Sequence, residues 1–415
     1  MRNAILCQCF GALGLVCFNS GIMLVYLLSL GMARSRVLTY LAVPSLSSAL
    51  LLIPMAMLSD RFGKKKIGQS GALLLAAAFS ALTLTRFVPD ASRAAWVLAC
   101  IVTYACGQSA MASGWFALLS PVVPSHMRGR FFGRLRLSWQ LCGIVLSALA
   151  SALLATVPGQ ESYTLIMGLV SIGLFLRIVF YRRVPELERE REPVREFMPA
   201  LGTLLRHPGL MPFCAYVFLL ALCVTGCPAI FGLVEKEILG FSDSRVVILG
   251  NVSMVGMLGG FALGGFIVDR TGTRPVFLAC HFGYAALIAA FVLRSFLTGG
   301  HLLALIGSLH CLWGIVAGTA SIAIATEVLS IIPARHKSLS TSMHASLAQA
   351  GVALSPLIGA LALNSGALQE SWGLSGLSMT AYDTILIAFA GMVLLLVVTL
   401  GLVPSVVGKS DWIPR

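Results

Sequence analysis

The constraint that dominates this sequence is its succession of apolar stretches, each long enough to cross a bilayer, with nearly all the charge confined to the short connections between them. A hydrocarbon layer of roughly 30 Å takes about 20 apolar residues per helix, and inside lipid only helices and closed barrels satisfy their own backbone. On that ruler the sequence predicts an all-α membrane protein with twelve spans, near residues 4–31, 37–58, 67–87, 94–121, 132–156, 162–181, 209–234, 244–268, 275–297, 302–330, 337–364 and 381–407. The first stretch is too long for a signal-peptide core and no small-residue cleavage site follows Leu30, so it reads as the first span. Only 11% of the 415 residues are charged, against roughly 25% in soluble domains. Soluble enzymes, nucleic-acid-binding domains and disordered scaffolds are excluded together, and the net charge of +13 is not a nucleic-acid footprint.

One segment breaks the pattern. Between Arg182 and Pro208 lie Glu186, Glu188, Arg189, Glu190, Arg191, Glu192, Arg195 and Glu196. Residues 184–208 therefore read as a linker at the membrane surface, dividing a six-helix half, 1–183, from a second, 209–415. Loops rich in Lys and Arg stay on the cytoplasmic side. The side that holds both termini and the linker carries 21 Lys and Arg, the other side 7, with Arg177 inside a span. Both termini are expected in the cytoplasm of a multi-pass cell-membrane protein, an inner-membrane one if the source is prokaryotic. All eleven cysteines fall inside predicted spans, and none has a His or acid at ligand spacing. They read as small packing residues rather than metal ligands, so no metal and no cofactor is expected.

The two halves repeat each other. Asp60-Arg61-Phe62-Gly63-Lys64-Lys65 in the first is matched, 209 residues on, by Asp269-Arg270-Thr271-Gly272-Thr273-Arg274 in the second. The same offset pairs Gly31, Ser35, Arg36 and Val37 with Gly240, Ser244, Arg245 and Val246, Pro124 with Pro333, Arg128 with Lys337, and Gln140 with Gln349. Halves with an even number of spans sit the same way up. They are expected to relate by a pseudo-twofold axis along the membrane normal, with a site at their interface and a rocking motion of one against the other. That geometry argues for transport.

The duplicated loop resembles the signature of the major facilitator superfamily, G-x-x-x-D-R/K-x-G-R-R/K. The second copy is complete, with Gly265, Asp269, Arg270, Gly272 and Arg274; the first has Ala56 in place of the leading Gly, then Asp60, Arg61, Gly63, Lys64 and Lys65. Gly63 and Gly272 allow a tight turn, and a small residue at 56 and 265 permits close helix approach. The resemblance implies that each Asp faces the start of a helix of the other half, span eleven for the first copy and span five for the second. Those starts carry Arg335, Lys337, Ser338 and Ser342, and Arg128, Gly129, Arg130 and Gly133. Such contacts would latch the cytoplasmic side shut; the alternative is that the loops only anchor topology by charge. Glu327, the carboxylate well inside a predicted span, is expected to partner Arg270 or Arg274, with proton coupling as the other reading.

In the resembled family, spans one, four, seven and ten line the central path. Here they offer Asn19 and Ser20, Tyr104 and Gln108, Thr225, and His310 with Trp313. Spans five and eleven add Gln140 and Gln349, the latter in a polar stripe with Ser338, Ser342 and Ser346. Each could instead serve hydrogen bonding between helices. As a histidine, His310 could carry a proton, though a lone His is more often a buried hydrogen-bonding partner. Arg177 is close enough to Arg182 to snorkel to the surface; facing the path, it would suit an anionic solute. Span five lacks the G-x-x-x-G-P motif of drug/proton antiporters, the first half has no buried acid, and no P-loop is present.

The expectation is a secondary transporter that moves a small solute through the bilayer by alternating access, as a monomer. Protons are an optional second partner and nucleic acid is none. An uncoupled facilitator and a non-transporting, transporter-like sensor are the alternatives. No nucleophile–His–acid set sits at one depth, so no enzyme is expected.

Overall fold

The computed structural model describes residues 1–119, 122, 128–157, 159–187, 202–331, 337–374 and 377–402. Helices occupy all twelve expected positions. In order they are α1 (Arg2–Asn19), α2 (Ile22–Ser29), α3 (Arg34–Phe62), α4 (Lys64–Thr83), α5 (Asp90–Leu119), α6 (Arg128–Thr156), α7 (Gln160–Arg182), α8 (Leu210–Val224), α9 (Cys227–Leu233), α10 (Asp243–Thr271), α11 (Thr273–Phe291), α12 (Gly299–Ile331), α13 (Lys337–Asn364) and α14 (Ala381–Leu402). Among the described residues, ten helical stretches are long and apolar enough to cross a membrane, and the bent pair α1–α2 makes eleven. The remaining position is α4, whose first three residues are Lys64, Lys65 and Lys66.

The repeat is written into the element boundaries. Helices α3, α4, α5 and α6 begin at 34, 64, 90 and 128, and α10, α11, α12 and α13 begin at 243, 273, 299 and 337, each 209 residues later. The turns match as well. Gly63 (φ 105°) alone joins α3 to α4, and Gly272 (φ 79°) alone joins α10 to α11. A one-residue connection between long helices needs a left-handed backbone, which glycine adopts without a Cβ clash. Two of the spans are broken. α1 and α2 meet at 53° across Ser20 and Gly21, where the Ser20 hydroxyl turns back to the Val16 carbonyl at 2.8 Å. α8 and α9 meet at Thr225 and Gly226, and the freed Gly226 N–H donates to Ser355 Oγ on α13 at 2.7 Å.

The chain forms two compact units, Met1–Phe197 with Phe241–Ile248, and Met198–Gly240 with Leu249–Arg415. In the first, α4 packs on α5 and α7, and α1 on α6 and α7. Glycines let backbones touch: a Cβ on Gly71 would lie 2.6 Å from the Gly107 carbonyl, and one on Gly107 2.7 Å from that of Gly71. The short segment 241–248 belongs to this unit through Ser151 Oγ, 3.0 Å from Ser244 Oγ, and through the Tyr163 hydroxyl, which donates to Asp243. In the second unit α8 packs on α13, and α11 on α12 and α14. Its core is aromatic, with Phe213, Phe277, Phe291 and Phe389 fully buried. Outward positions are apolar too: Leu50 is 66% exposed, Leu361 70% and Leu395 68%. Water would not tolerate such a surface, and lipid requires it.

One element was not anticipated. Between α13 and α14 a hairpin pairs β1 (Ser371–Leu374) with β2 (Leu377–Thr380), Ser371 opposite Thr380. The Trp372 indole N–H donates to Thr384 Oγ1 at 3.0 Å, which ties the hairpin to the first turn of α14.

Candidate functional site

The motif turns are alike in backbone and different in partners. In the first, Asp60 and Arg61 are exposed and Gly63, Lys64 and Lys65 partly buried. The Lys65 N–H donates to Glu186 Oε1 at 3.3 Å, and the Tyr181 hydroxyl to the Lys64 carbonyl at 3.4 Å. Glu186, from the start of the linker, thus puts a carboxylate at the positive N-terminal end of α4. In the second turn, Asp269 and Arg270 are exposed and Arg274 partly buried. The Arg270 guanidinium lies over the Phe266 ring at 3.9 Å.

Glu327 is buried, as its place in α12 requires, and Thr273 Oγ1 donates to its Oε2 at 2.6 Å. The resolved bond therefore comes from the first residue of α11, between the two arginines expected there. Gly265 also differs from expectation, since a Cβ there would meet nothing within 4 Å. Close approach in this unit is made by Gly256, Gly260 and Gly264 of α10, whose added Cβ atoms would lie 2.1, 2.3 and 2.9 Å from backbone atoms of α12. Arg128 opens α6, and Arg335 lies outside the described residues.

The substrate-path candidates fall into separate settings. Asn19 is exposed at the break between α1 and α2. Tyr104 is buried on α5, its ring 5.0 Å from Phe18 and 5.4 Å from Phe79. Its hydroxyl and Gln108 Oε1, one turn along, have no hydrogen-bond partner among the described residues. Gln140 is fully buried and Gln349 partly so. Thr225 sits at the α8–α9 break, its hydroxyl bonded to the Ala221 carbonyl at 2.8 Å. His310 and Trp313 are brought together: Phe231 stands edge-on to both, at 6.1 Å and 5.3 Å.

Three arrangements emerge only in the structure. His310 is not alone, because its Nε2 lies 2.6 Å from Glu235 Oε1. Arg294 and Asp383, near the ends of the predicted spans 275–297 and 381–407, form a buried pair at 2.7 Å. Arg177 does not snorkel; it is 4% exposed, and a Cβ on Gly11 would lie 2.5 Å from its Cζ. Among the described residues no group of three His, Cys, Asp or Glu could hold a metal.

Comparison with known proteins follows this geometry. The family model described as Major Facilitator Superfamily matches residues 4–356. A bacterial homologue of the iron transporter ferroportin, solved in an inward-facing state, is similar with a TM-score of 0.73 at 13% identity, over 96% of this chain and 97% of that one. The nucleoside transporter NupG gives 0.69 at 11% identity, over 97% of each chain. The inward-open xylose transporter XylE from E. coli gives 0.64 at 13%, over 94% and 93%. At such identities the likeness is one of fold. No curated protein sequence matches significantly. With the family model spanning most of the sequence, and with the duplicated loop motif and helical repeat already in place, the chain belongs to the major facilitator superfamily of membrane transporters.

Proposed function

We propose that the protein moves a small solute across the cell membrane by alternating access, as a monomer whose halves, 1–183 and 209–415, are joined by a cytoplasmic linker. The observation that carries this reading is the common 209-residue offset of four helix starts and of both glycine turns. Two halves of like topology offer two ways of closing a path between them, one at each membrane face. The motif end is the cytoplasmic one, because it carries most of the Lys and Arg. There the gate is Asp60, Arg61, Lys64 and Lys65 from one half, and Asp269, Arg270, Arg274 and Glu327 from the other, with Arg128 and Arg335 at the facing helix starts. Asn19, Tyr104, Gln108, Gln140, Thr225, His310, Trp313 and Gln349 line the path. The neighbours' printed substrates, iron, a nucleoside and xylose, are chemically unlike each other, so the fold does not select among solutes.

The test is uptake into liposomes of solutes first identified by thermal-shift screening of the purified protein. Asp269→Asn keeps the shape and removes the charge that faces a helix start. It is expected to slow the initial rate about tenfold or more, a change of roughly 1.4 kcal/mol in the barrier. Wild-type uptake by this variant would refute the gating role.

A further inference from the structure

The transport reading leaves unused the one buried carboxylate–imidazole contact among the described residues. After α9 the helix widens, and the Leu239 N–H reaches five residues back to the Val234 carbonyl at 2.9 Å. Such wide turns recur at functional sites because they re-aim a side chain. Here Lys236 is half-buried and Glu237 is exposed, whereas Glu235 is turned inward and 1% exposed. His310, on α12, is 7% exposed, and its Nε2 meets Glu235 Oε1 at 2.6 Å. The second carboxylate oxygen, Oε2, is buried with no hydrogen-bond partner among the described residues.

The walls are apolar. Phe231 stacks on Phe291 at 4.3 Å, and Trp313 lies edge-on to Phe231 at 5.3 Å and to Tyr284 at 4.9 Å. Ionisable groups on the surrounding elements include Cys280, His281 and Tyr284 on α11, Arg294 just after it, Cys311 on α12, and Tyr382 and Asp383 on α14. Tyr216, Cys223 and Cys227 on α8 and α9, and Lys236 and Glu237 in the same turn, are the others nearest in sequence, and His281 is taken up by the Tyr216 hydroxyl and the Phe277 carbonyl. Arg294 is held by Asp383, and the Tyr382 hydroxyl donates to Glu237. α10 has no ionisable side chain between 249 and 264, and the one on α13 between 339 and 364 is His344, stacked on Phe213 away from the pair.

A structural ion pair in such surroundings needs its lone pairs satisfied, or burying the charges costs more than their attraction returns. An arginine partner would fix the charge, because it does not deprotonate; a histidine does not fix it. With one exchangeable proton, as imidazolium and carboxylate or as imidazole and carboxylic acid, the pair is neutral overall and fits its apolar walls. Without that proton it carries one negative charge, which these walls oppose. Proton occupancy and closure of the pocket over the pair are thereby linked.

We propose that Glu235 and His310 are the proton-binding site of the transport cycle, a deepening that rests on the alternating-access reading. One proton from water enters the pair when the pocket opens to one side. The pocket closes over the neutral pair, and the same proton leaves to water on the other side. No bond other than N–H or O–H is made or broken.

The experiment applies a pH step, with no solute, to the full-length protein in liposomes adsorbed on a sensor electrode; the probe is the proton itself. The wild type is expected to give a transient charge displacement. Glu235→Gln, whose amide can keep the hydrogen bond but cannot exchange the proton, should lose at least nine-tenths of it, order of magnitude. Glu235→Asp should keep the signal with a displaced pH midpoint, and His310→Gln should displace it too. A wild-type signal in Glu235→Gln overturns the proposal. Should that variant not fold, an unchanged midpoint in both Glu235→Asp and His310→Gln overturns it equally. A signal that depends on Glu235 while no screened solute is taken up supports the proton site and counts against the transport reading. Uptake indifferent to a pH gradient, with the signal retained in Glu235→Gln, leaves transport standing and removes the proton site.

Discussion

Gly314→Val is expected to remove most folded protein from the membrane, whereas Gly265→Ala, in the facing helix of the same pair, is expected to leave the yield and melting temperature nearly unchanged. A Cβ on Gly314 would stand 1.9 Å from the Ser253 carbonyl oxygen and 2.7 Å from the Met257 nitrogen. Both are backbone atoms, so no rotamer change relieves the overlap and the helices must part. Parting them breaks the neighbouring contacts of Gly256 with Cys311, Gly260 with Ile315, and Gly318 with Met257. Helix association in lipid has no hydrophobic driving force and depends on this close packing. Overpacking a tight interface costs about 1–3 kcal/mol, occasionally more; against backbone on two sides the upper end applies. Gly265 has open space around its missing Cβ, so alanine there should cost within ~0.5 kcal/mol. Membrane yield and thermal unfolding in detergent read both variants. Equal behaviour of the two would mean that the α10–α12 contact does not limit stability.

The same helices show what could be read from the sequence. Gly256, Gly260 and Gly264 stand four residues apart on α10, a spacing visible without coordinates, yet the loop motif drew attention to Gly265, one residue beyond that face. The number and place of the helices were legible because lipid imposes one length and one polarity on every span. The repeat was legible because its turns need glycine at matching places.

Glu235 was missed for a definite reason. A hydropathy ruler ends the span at 234, and Glu235-Lys236-Glu237 then reads as the start of a loop. Whether one residue of such a triplet turns inward depends on a wide turn stabilised by tertiary packing. Its partner, 75 residues away in sequence, leaves no local trace. Arg294 and Asp383 stand near the ends of predicted spans, 89 residues apart, so their pairing leaves no local trace either. The hairpin at 371–380 was missed although Ser375-Gly376 between its strands is a turn dipeptide. Span breaks at Gly21 and Gly226 were not marked because Asn19-Ser20 and Thr225 read equally as polar residues facing a path, and long apolar runs flank both places.

Arg294→Met should be the more damaging half of a pair whose double replacement is milder than the single. Asp383 is fully buried, and its Oδ2 accepts from Arg294 Nη2 at 2.7 Å, from the Thr380 N–H at 2.8 Å and from Thr380 Oγ1 at 2.8 Å. Arg294 is itself 4% exposed, with Nη1 donating to the Phe291 carbonyl at 3.1 Å and its Cζ over the Phe291 ring at 5.0 Å. Methionine fills the volume of the side chain but leaves a carboxylate buried beside two neutral donors. Removing one partner of a buried pair costs about 3–5 kcal/mol, because the remaining charge is uncompensated, while replacing both is often close to neutral. Arg294→Met is therefore expected to lower the melting temperature sharply. Asp383→Asn added to it should recover at least about 1–2 kcal/mol of the loss, because the amide oxygen still accepts from Thr380 and no charge is left to bury. The comparison isolates charge from packing, since both variants have lost the same arginine contacts with Phe291. A double variant no more stable than Arg294→Met would assign the role of Arg294 to those contacts rather than to Asp383.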